Sequence, residues 1–283
     1  MQIVRFRNDR NVRMYGFLYE NKIRAIEGNI FNIIKDTGVE LDADKVKILA
    51  PVPHPNKIIG IGLNYKTHIK EWAEIHNKKY EDCIPKTPIM FLKPPTSRIG
   101  QNGEIEIPGQ SNQVEYEAEL AVVIGKQARN ISKNEALKFV LGYTCANDVT
   151  ARDLQIADGQ WTRAKGFDSF CPLGPGIVLQ KGFNLVSGKS SFIKKRETFI
   201  ENPNKLQVKA YLNGKVVQDF NTEDMLFNVS ELVSHVSKVM TLFPGDVILT
   251  GTSVGVGLLN KNDKIEIEIE KIGRLSNKVI NAS

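Results

Sequence analysis

The stretch Val114-Glu-Tyr-Glu-Ala-Glu-Leu-Ala-Val-Val-Ile-Gly125 changes character half-way along. Its second half, Leu120 to Gly125, is a continuous apolar run with the length and β-branched content of a central strand. Its first half alternates. Successive side chains of a strand point to opposite faces, so Glu115, Glu117 and Glu119 share one face and Tyr116, Ala118 and Leu120 the other. Like charges on one face repel unless positive charge stands among them. Two arrangements answer that. The segment can be a solvated edge strand whose acids meet lysines of a neighbour, or the acids can surround a divalent cation. Oxygen-only ligands favour Mg²⁺, Mn²⁺ or Ca²⁺ over zinc.

Outward from this segment, short apolar runs are punctuated by turn residues. Lys57-Ile-Ile-Gly-Ile-Gly62, Pro88-Ile-Met-Phe-Leu92 and Pro244-Gly-Asp-Val-Ile-Leu-Thr250 read as strands. Val208 to Val217 has the strand–Asn-Gly–strand form of a tight hairpin. Lys264 to Glu270 alternates strictly and reads as a half-solvated strand. Two helices are expected. Ser132, with Glu135 at the capping-box position, starts one running to about Val140, and an amphipathic one covers Ser230 to Met240. Residues 1–50 form a small N-terminal α+β unit, with strands at Ile3-Val-Arg-Phe and Tyr15-Gly-Phe-Leu-Tyr and a helical turn at Ile30 to Ile34. Pro51-Val-Pro-His-Pro55 marks its end, because proline restricts both itself and its predecessor. The second unit is 51–283. Many strands and few helices exclude a simple βαβ succession and give a β-rich α/β chain.

Composition narrows the function classes. The chain has 283 residues, 41% hydrophobic and 25% charged, which excludes a disordered or collagen-like polymer. No apolar run nears the roughly 18 residues of a membrane span, and the charged start is unlike a secretory signal. The net charge of +6 is spread along the sequence, with no nucleic-acid-binding motif, so the surplus fits a small anionic substrate. Three cysteines without a C-x-x-C pair fit a reducing cytoplasm rather than a disulfide scaffold. Cys145 and Cys171 read as buried packing residues. Gly60-Ile-Gly62 lacks the third glycine of a dinucleotide fingerprint, and Gly251 to Gly257 lacks the Lys-Ser/Thr of a P-loop. No G-x-S-x-G elbow is present.

Further candidates lie downstream and upstream of the acids. Asp148 directly follows the apolar run Phe139 to Tyr143 and its extension, a strand end from which a carboxylate can complete a ligand set. Arg152 and Gln155 follow it, and Lys165 lies among aromatic residues that can exclude water. His68 and Glu71 are three apart, one face of a helix, so the carboxylate can orient the imidazole or the two can be an incidental surface pair. The polar segment Trp72 to Tyr80 is a candidate lid.

These residues resemble the fumarylacetoacetate hydrolase superfamily, through ordered blocks that span nearly the whole chain. They are Gly62-Leu-Asn-Tyr-Lys-Thr-His-Ile-Lys-Glu71, Phe91-Leu-Lys-Pro94, Glu117-Ala-Glu119, Asp148-Val-Thr-Ala-Arg-Asp153, Trp161 to Gly174, and Leu242 to Gly257. The resemblance implies a mixed β-sandwich or roll, a homodimer, and a metal, Mg²⁺ or Mn²⁺, on Glu117, Glu119 and Asp148. Glu115 then falls outside the ligand set. It implies a catalytic dyad of His68 and Glu71, a catalytic Lys165, and substrate contacts from Arg152, Gln155 and Thr252. The substrate it implies is a small 2-oxo acid or related enol. The leading reaction is hydrolytic C–C cleavage of a 2,4-dioxo acid, an acylpyruvate. Isomerisation of a 2-hydroxyhepta-2,4-diene-1,7-dioate or decarboxylation of oxaloacetate are the alternatives on the same residues. The stretch from Gly182 to Phe199 is longer than the family's usual connection, and Ser253 stands where many relatives have proline.

Overall fold

The computed structural model describes residues 1–75, 77–183, 185–187 and 198–282. The segment Ala118–Ile124 lies deep in a large sheet, antiparallel to Val140–Asn147 on one side and to Val247–Leu249 on the other. All seven of its residues are buried. Leu120, Val122 and Ile124 pack in one core cluster with Val208, Ile265, Ile267 and Leu275 of a second, five-stranded sheet. Ala121 and Val123 pack in a second cluster, with Ile3, Phe17, Ile177 and Leu249. Burial on both faces is why this run is continuous rather than alternating. Beyond Val247–Leu249 the large sheet continues through Ile58–Gly62, parallel, and ends at Ile89–Lys93.

The five-stranded sheet runs in the order Lys215–Asn221, Gln207–Leu212, Lys264–Ile269, Gly273–Asn281, Glu104–Ile107. Its first two strands are the expected hairpin. Asn213 and Gly214 take φ of +52° and +80°, the tight-turn geometry that Asn-Gly adopts at little cost. Lys264–Ile269 buries Ile265, Ile267 and Ile269 and turns its acids outward. The fold is strand-rich α/β, as the sequence implies.

Three local expectations change. No α-helix occurs within residues 1–50. Ile30 to Ile34 is not a helical turn: Asn29 Oδ1 accepts the Phe31 N–H, and the chain turns into the strand Ile33–Asp42. The strand Gln2–Arg7 continues the large sheet, with Ile3 opposite Ile177. No α-helix starts at Ser132 either. The Glu135 N–H reaches the Ser132 carbonyl as a turn, and only the 3₁₀ segment Ala136–Phe139 comes after it. The apolar Val140–Asn147 is taken into the sheet, which outweighs the local capping signal. The third change concerns Glu115, Glu117 and Glu119. The strand divides at Glu117, Val114–Tyr116 pairing in a separate three-stranded sheet, and none of the three acids is on a solvated edge. Most of the 182–199 stretch, residues 188–197 above all, lies outside the described residues.

Candidate active site

A cavity of about 480 Å³ opens where these segments meet. Glu115, Glu117, Glu119 and Asp148 line it, with exposures of 7%, 5%, 1% and 1%. Four carboxylates so deeply buried require compensation, since an isolated buried charge is prohibitively costly. Three cations supply most of it. Lys165 Nζ donates to Glu117 Oε2 at 2.9 Å and to Asp148 Oδ2 at 2.6 Å. Arg152 spans Glu115 Oε2 at 2.8 Å and Glu117 Oε1 at 2.5 Å, and donates to Gln155 Oε1. Lys93, fully buried, donates to Asp148 Oδ1 at 2.5 Å and to the Val149 carbonyl at 3.1 Å.

Glu119 stands apart. Its Oε2 accepts the Gly251 N–H at 2.5 Å, and among the described residues it has no ion pair. Gly251 is at φ +93°, and a Cβ there would meet Asn64 Cβ at 2.8 Å, so the backbone approaches the acid only because the residue is glycine. The proton affinities follow the same division. Burial works to raise Glu117, but Lys165 and Arg152 outweigh it and hold its carboxyl well below the usual carboxylate range. Burial, with Asp148 and Glu117 alongside, pushes Glu119 well above that range. Burial works to lower Lys165, and Asp148 and Glu117 outweigh it, so the ammonium is favoured.

Glu117, Glu119 and Asp148 each offer an oxygen within 4.8 Å of the others and could hold a metal ion. The donor set fits a hard dication. All the donors are carboxylate oxygens, and each oxygen that accepts a hydrogen bond keeps a second lone pair. Lys165, Arg152 and Lys93 pair with Glu115, Glu117 and Asp148 and leave Glu119 without a cationic partner among the described residues. A dication held by Glu117, Glu119 and Asp148 would stand beside that unpartnered acid.

His68 and Glu71 line the same cavity. They sit on the helix Lys66–Ile75, whose core face carries Ile69 and Ala73, with buried Tyr65 just ahead. That stripe of four-residue spacing turns His68 and Glu71 toward the cavity, with His68 Nδ1 3.2 Å from Glu71 Oε2. The hydrogen bond to His68 holds the Glu71 carboxyl below its ordinary range. Thr67 Oγ1 lies 2.7 Å from Ser253 Oγ, tying this helix to the glycine-rich loop in which Thr252 lines the cavity. Most of the remaining wall is apolar, with Ile61, Trp72, Phe91, Ile156, Trp161 and Val256, and the Gln113 amide donates to Glu115 Oε1 at 2.7 Å. The helices Arg152–Asp158 and Thr162–Gly166 carry Arg152, Gln155 and Lys165 to it.

Residues 57–280 match the family described as fumarylacetoacetate (FAA) hydrolase, C-terminal, and residues 1–51 match Rv2993c-like, N-terminal. The chain belongs to the fumarylacetoacetate hydrolase family. Family members are enzymes, hydrolases and isomerases among them. The chain is 39% identical over 244 residues to the mitochondrial oxaloacetate tautomerase Fahd2a of Rattus norvegicus, covering 83% of this chain and 70% of that protein. Its fold superposes on the 2-hydroxyhepta-2,4-diene-1,7-dioate isomerase of Mycobacterium marinum with TM-score 0.83 and 34% identity, over 100% of this chain and 99% of that one. Against the maleylpyruvate hydrolase of Sphingobium sp. SYK-6, solved with manganese(II) and pyruvate, the TM-score is 0.77 and the identity 25%, over the whole of both chains.

All nine sequence-derived site residues line this one cavity. Sequence reasoning missed Lys93 and the Gly251 N–H, and left Glu115 without its partner Arg152. Lys93 had a signal, a lysine closing the apolar strand Ile89–Lys93, but such a residue ordinarily runs its stem along the surface to water. Within the candidate lid, His76 lies outside the described residues. No helix among the described residues is long and apolar enough to cross a membrane.

Proposed function

We propose that this chain is a Mg²⁺- or Mn²⁺-dependent hydrolase that cleaves a carbon–carbon bond of a 2,4-dioxo acid of the acylpyruvate type. The observation that carries the reading is one cavity with a charged floor, an oriented histidine and an apolar wall. A bound dication would act as a Lewis acid toward the substrate carboxylate and 2-oxygen.

The protein's own groups supply the rest. Glu71 engages Nδ1 of His68 and leaves Nε2 to take a proton from water. The hydroxide oxygen bonds to the distal carbonyl carbon, C4. The C3–C4 bond then breaks, releasing a carboxylic acid and the enolate of pyruvate. His68 returns the proton to C3. The Lys165 ammonium stabilises the negative charge that develops on the 2-oxygen, with Arg152, Gln155 and Thr252 orienting the acid end. Phe91, Trp161 and Ile156 line the cavity and would offer the acyl end an apolar wall.

The lining also argues for a substrate with a single carboxylate. Among the described lining residues the arginine and lysine side chains are Arg152 and Lys165, and both stand beside the acidic floor, at the end assigned to the 2-oxo acid. A second carboxylate at the far end would face apolar side chains. A second reading, proton transfer alone between keto and enol forms of an oxo acid, is favoured by the 39% identity to a tautomerase. It needs His68 as a shuttle and no attacking water.

The test is a panel of acylpyruvates, oxaloacetate and hydroxy-diene diacids with Mg²⁺ or Mn²⁺ in ¹⁸O-water. We expect acylpyruvate cleavage with one solvent oxygen in the released carboxylic acid. His68→Ala should lower kcat by about 10²–10⁴-fold, the usual range for general acid–base catalysis, at unchanged Mn²⁺ affinity. Keto–enol exchange without acylpyruvate cleavage would replace this reading by the second. Undiminished turnover in His68→Ala would remove the histidine from either.

A further inference from the structure

Gln218 is a buried amide on the strand Lys215–Asn221, at a position where alternation calls for an apolar side chain. Its carbonyl oxygen accepts the N–H of Ala118 at 3.0 Å. Ala118 lies between Glu117 and Glu119, where the acid-bearing strand divides. The amide nitrogen faces Thr252 Oγ1 at 3.0 Å, the Ser253 carbonyl at 3.1 Å and the Val254 carbonyl at 3.3 Å. One side chain thus fastens the glycine-rich loop to the acidic floor.

The direction of these bonds is fixed by their partners. A backbone N–H only donates and backbone carbonyls only accept, so the amide has one workable orientation. In it, the NH₂ donates to Thr252 Oγ1. The threonine hydroxyl, already an acceptor, keeps its own proton for another group. Among the described residues no acceptor takes that proton, and Thr252 lines the cavity. A buried hydroxyl in this state is a donor waiting for an anion.

We propose that Gln218 is a positioning residue that sets the polarity of the Thr252 hydroxyl, making it a hydrogen-bond donor to the substrate carboxylate. The inference rests on the 2-oxo-acid reading of the cavity and deepens it. Selectivity follows from the polarity. An anion that accepts is held, and a ligand that presents an N–H or O–H at that point finds a competing proton.

The test uses the full chain with Mg²⁺ and pyruvate as probe, binding being read from tryptophan fluorescence, since Trp72 and Trp161 line the cavity. In Gln218→Glu the carboxylate still accepts from Ala118 and draws the Thr252 proton to itself. Thr252→Val removes the hydroxyl at nearly constant shape. Each should weaken pyruvate about tenfold, and the double variant also about tenfold rather than a hundredfold, because both remove one donor. Thr252→Ser should retain binding. Gln218→Met, which removes the amide without adding charge, serves if Gln218→Glu does not fold, and should behave non-additively with Thr252→Val in the same way. Multiplying losses, or a Gln218 variant that binds pyruvate as the unsubstituted protein does, would overturn the inference while leaving the cavity reading in place. Failure of the unsubstituted protein to bind pyruvate would overturn both.

Discussion

Lys93 carries a positive charge at 0% side-chain exposure, held by one carboxylate oxygen of Asp148 and one backbone carbonyl. Removing one member of a buried pair leaves the other uncompensated, at a cost of about 3–5 kcal/mol. Asp148 keeps Lys165 on its second oxygen, so Lys93→Met should fall toward the lower end of that range in urea unfolding. A loss within the roughly 0.5 kcal/mol of a neutral surface change would show that Lys93 does not hold Asp148. Glu71 gives a pH test. Its carboxyl is held below its ordinary 4.5, first by the hydrogen bond to His68. A depressed carboxylate contributes stability that is fully present above the unfolded value and is lost as pH falls through the folded one. The dyad should therefore survive below pH 4.5, and a side-chain NMR titration of Glu71 should show a midpoint under that value. A midpoint at or above it would mean that the pair does not form in solution. At this scale the sequence was partly readable. Alternation grouped Glu117 and Glu119 with Glu115, the strand-end position marked Asp148, and the resemblance set Glu115 aside. Gln218 was not readable, because its contact with Ala118 spans 100 positions and nothing local marks it.

Two segments carry the same helix-start pattern and end differently. Asn228 and Glu231 form a complete capping box, with the Glu231 N–H on Asn228 Oδ1 at 3.1 Å and the Asn228 N–H on Glu231 Oε2 at 3.0 Å. The helix Val229–Val239 then buries Val229, Leu232, Val233 and Val236 along one side. Ser132 and Glu135 match the pattern equally well, yet the Ser132 hydroxyl reaches the Glu135 carboxylate at 3.4 Å, and that carboxylate turns to Lys138 Nζ at 3.5 Å instead of to the backbone. The downstream residues make the difference. Val140–Asn147 gains two strand neighbours by leaving the helical path, whereas 229–239 has an apolar stripe that a helix alone can bury. Local signals decide an element only where no sheet position competes for the same residues. Asn228→Ala should cost about 1 kcal/mol, the usual worth of such a cap, in denaturant unfolding. A change near zero would show that tertiary packing alone holds this helix.

The cavity is a property of the whole chain. Its floor and walls come from residues as far apart as Ile61 and Val256, delivered by the large sheet, the three-stranded sheet, three helices and the glycine-rich loop. The apolar pattern made the strands readable, since burial on one or both faces leaves a periodic trace. Strand order leaves no such trace, so neither the joining of Gln2–Arg7 to Cys171–Gln180 nor the meeting of Lys93 with Asp148 is legible in the sequence. The same assembly leaves Glu119 buried with a single backbone donor and draws Glu117, Glu119 and Asp148 close enough together to hold a dication, the claim on which the proposed function rests. Anomalous scattering from crystals soaked in Mn²⁺ tests that claim most directly. The account predicts one manganese peak coordinated by oxygens of Glu117, Glu119 and Asp148 together. A cavity without manganese at saturating concentration, or a peak that Glu119 does not coordinate, would contradict it.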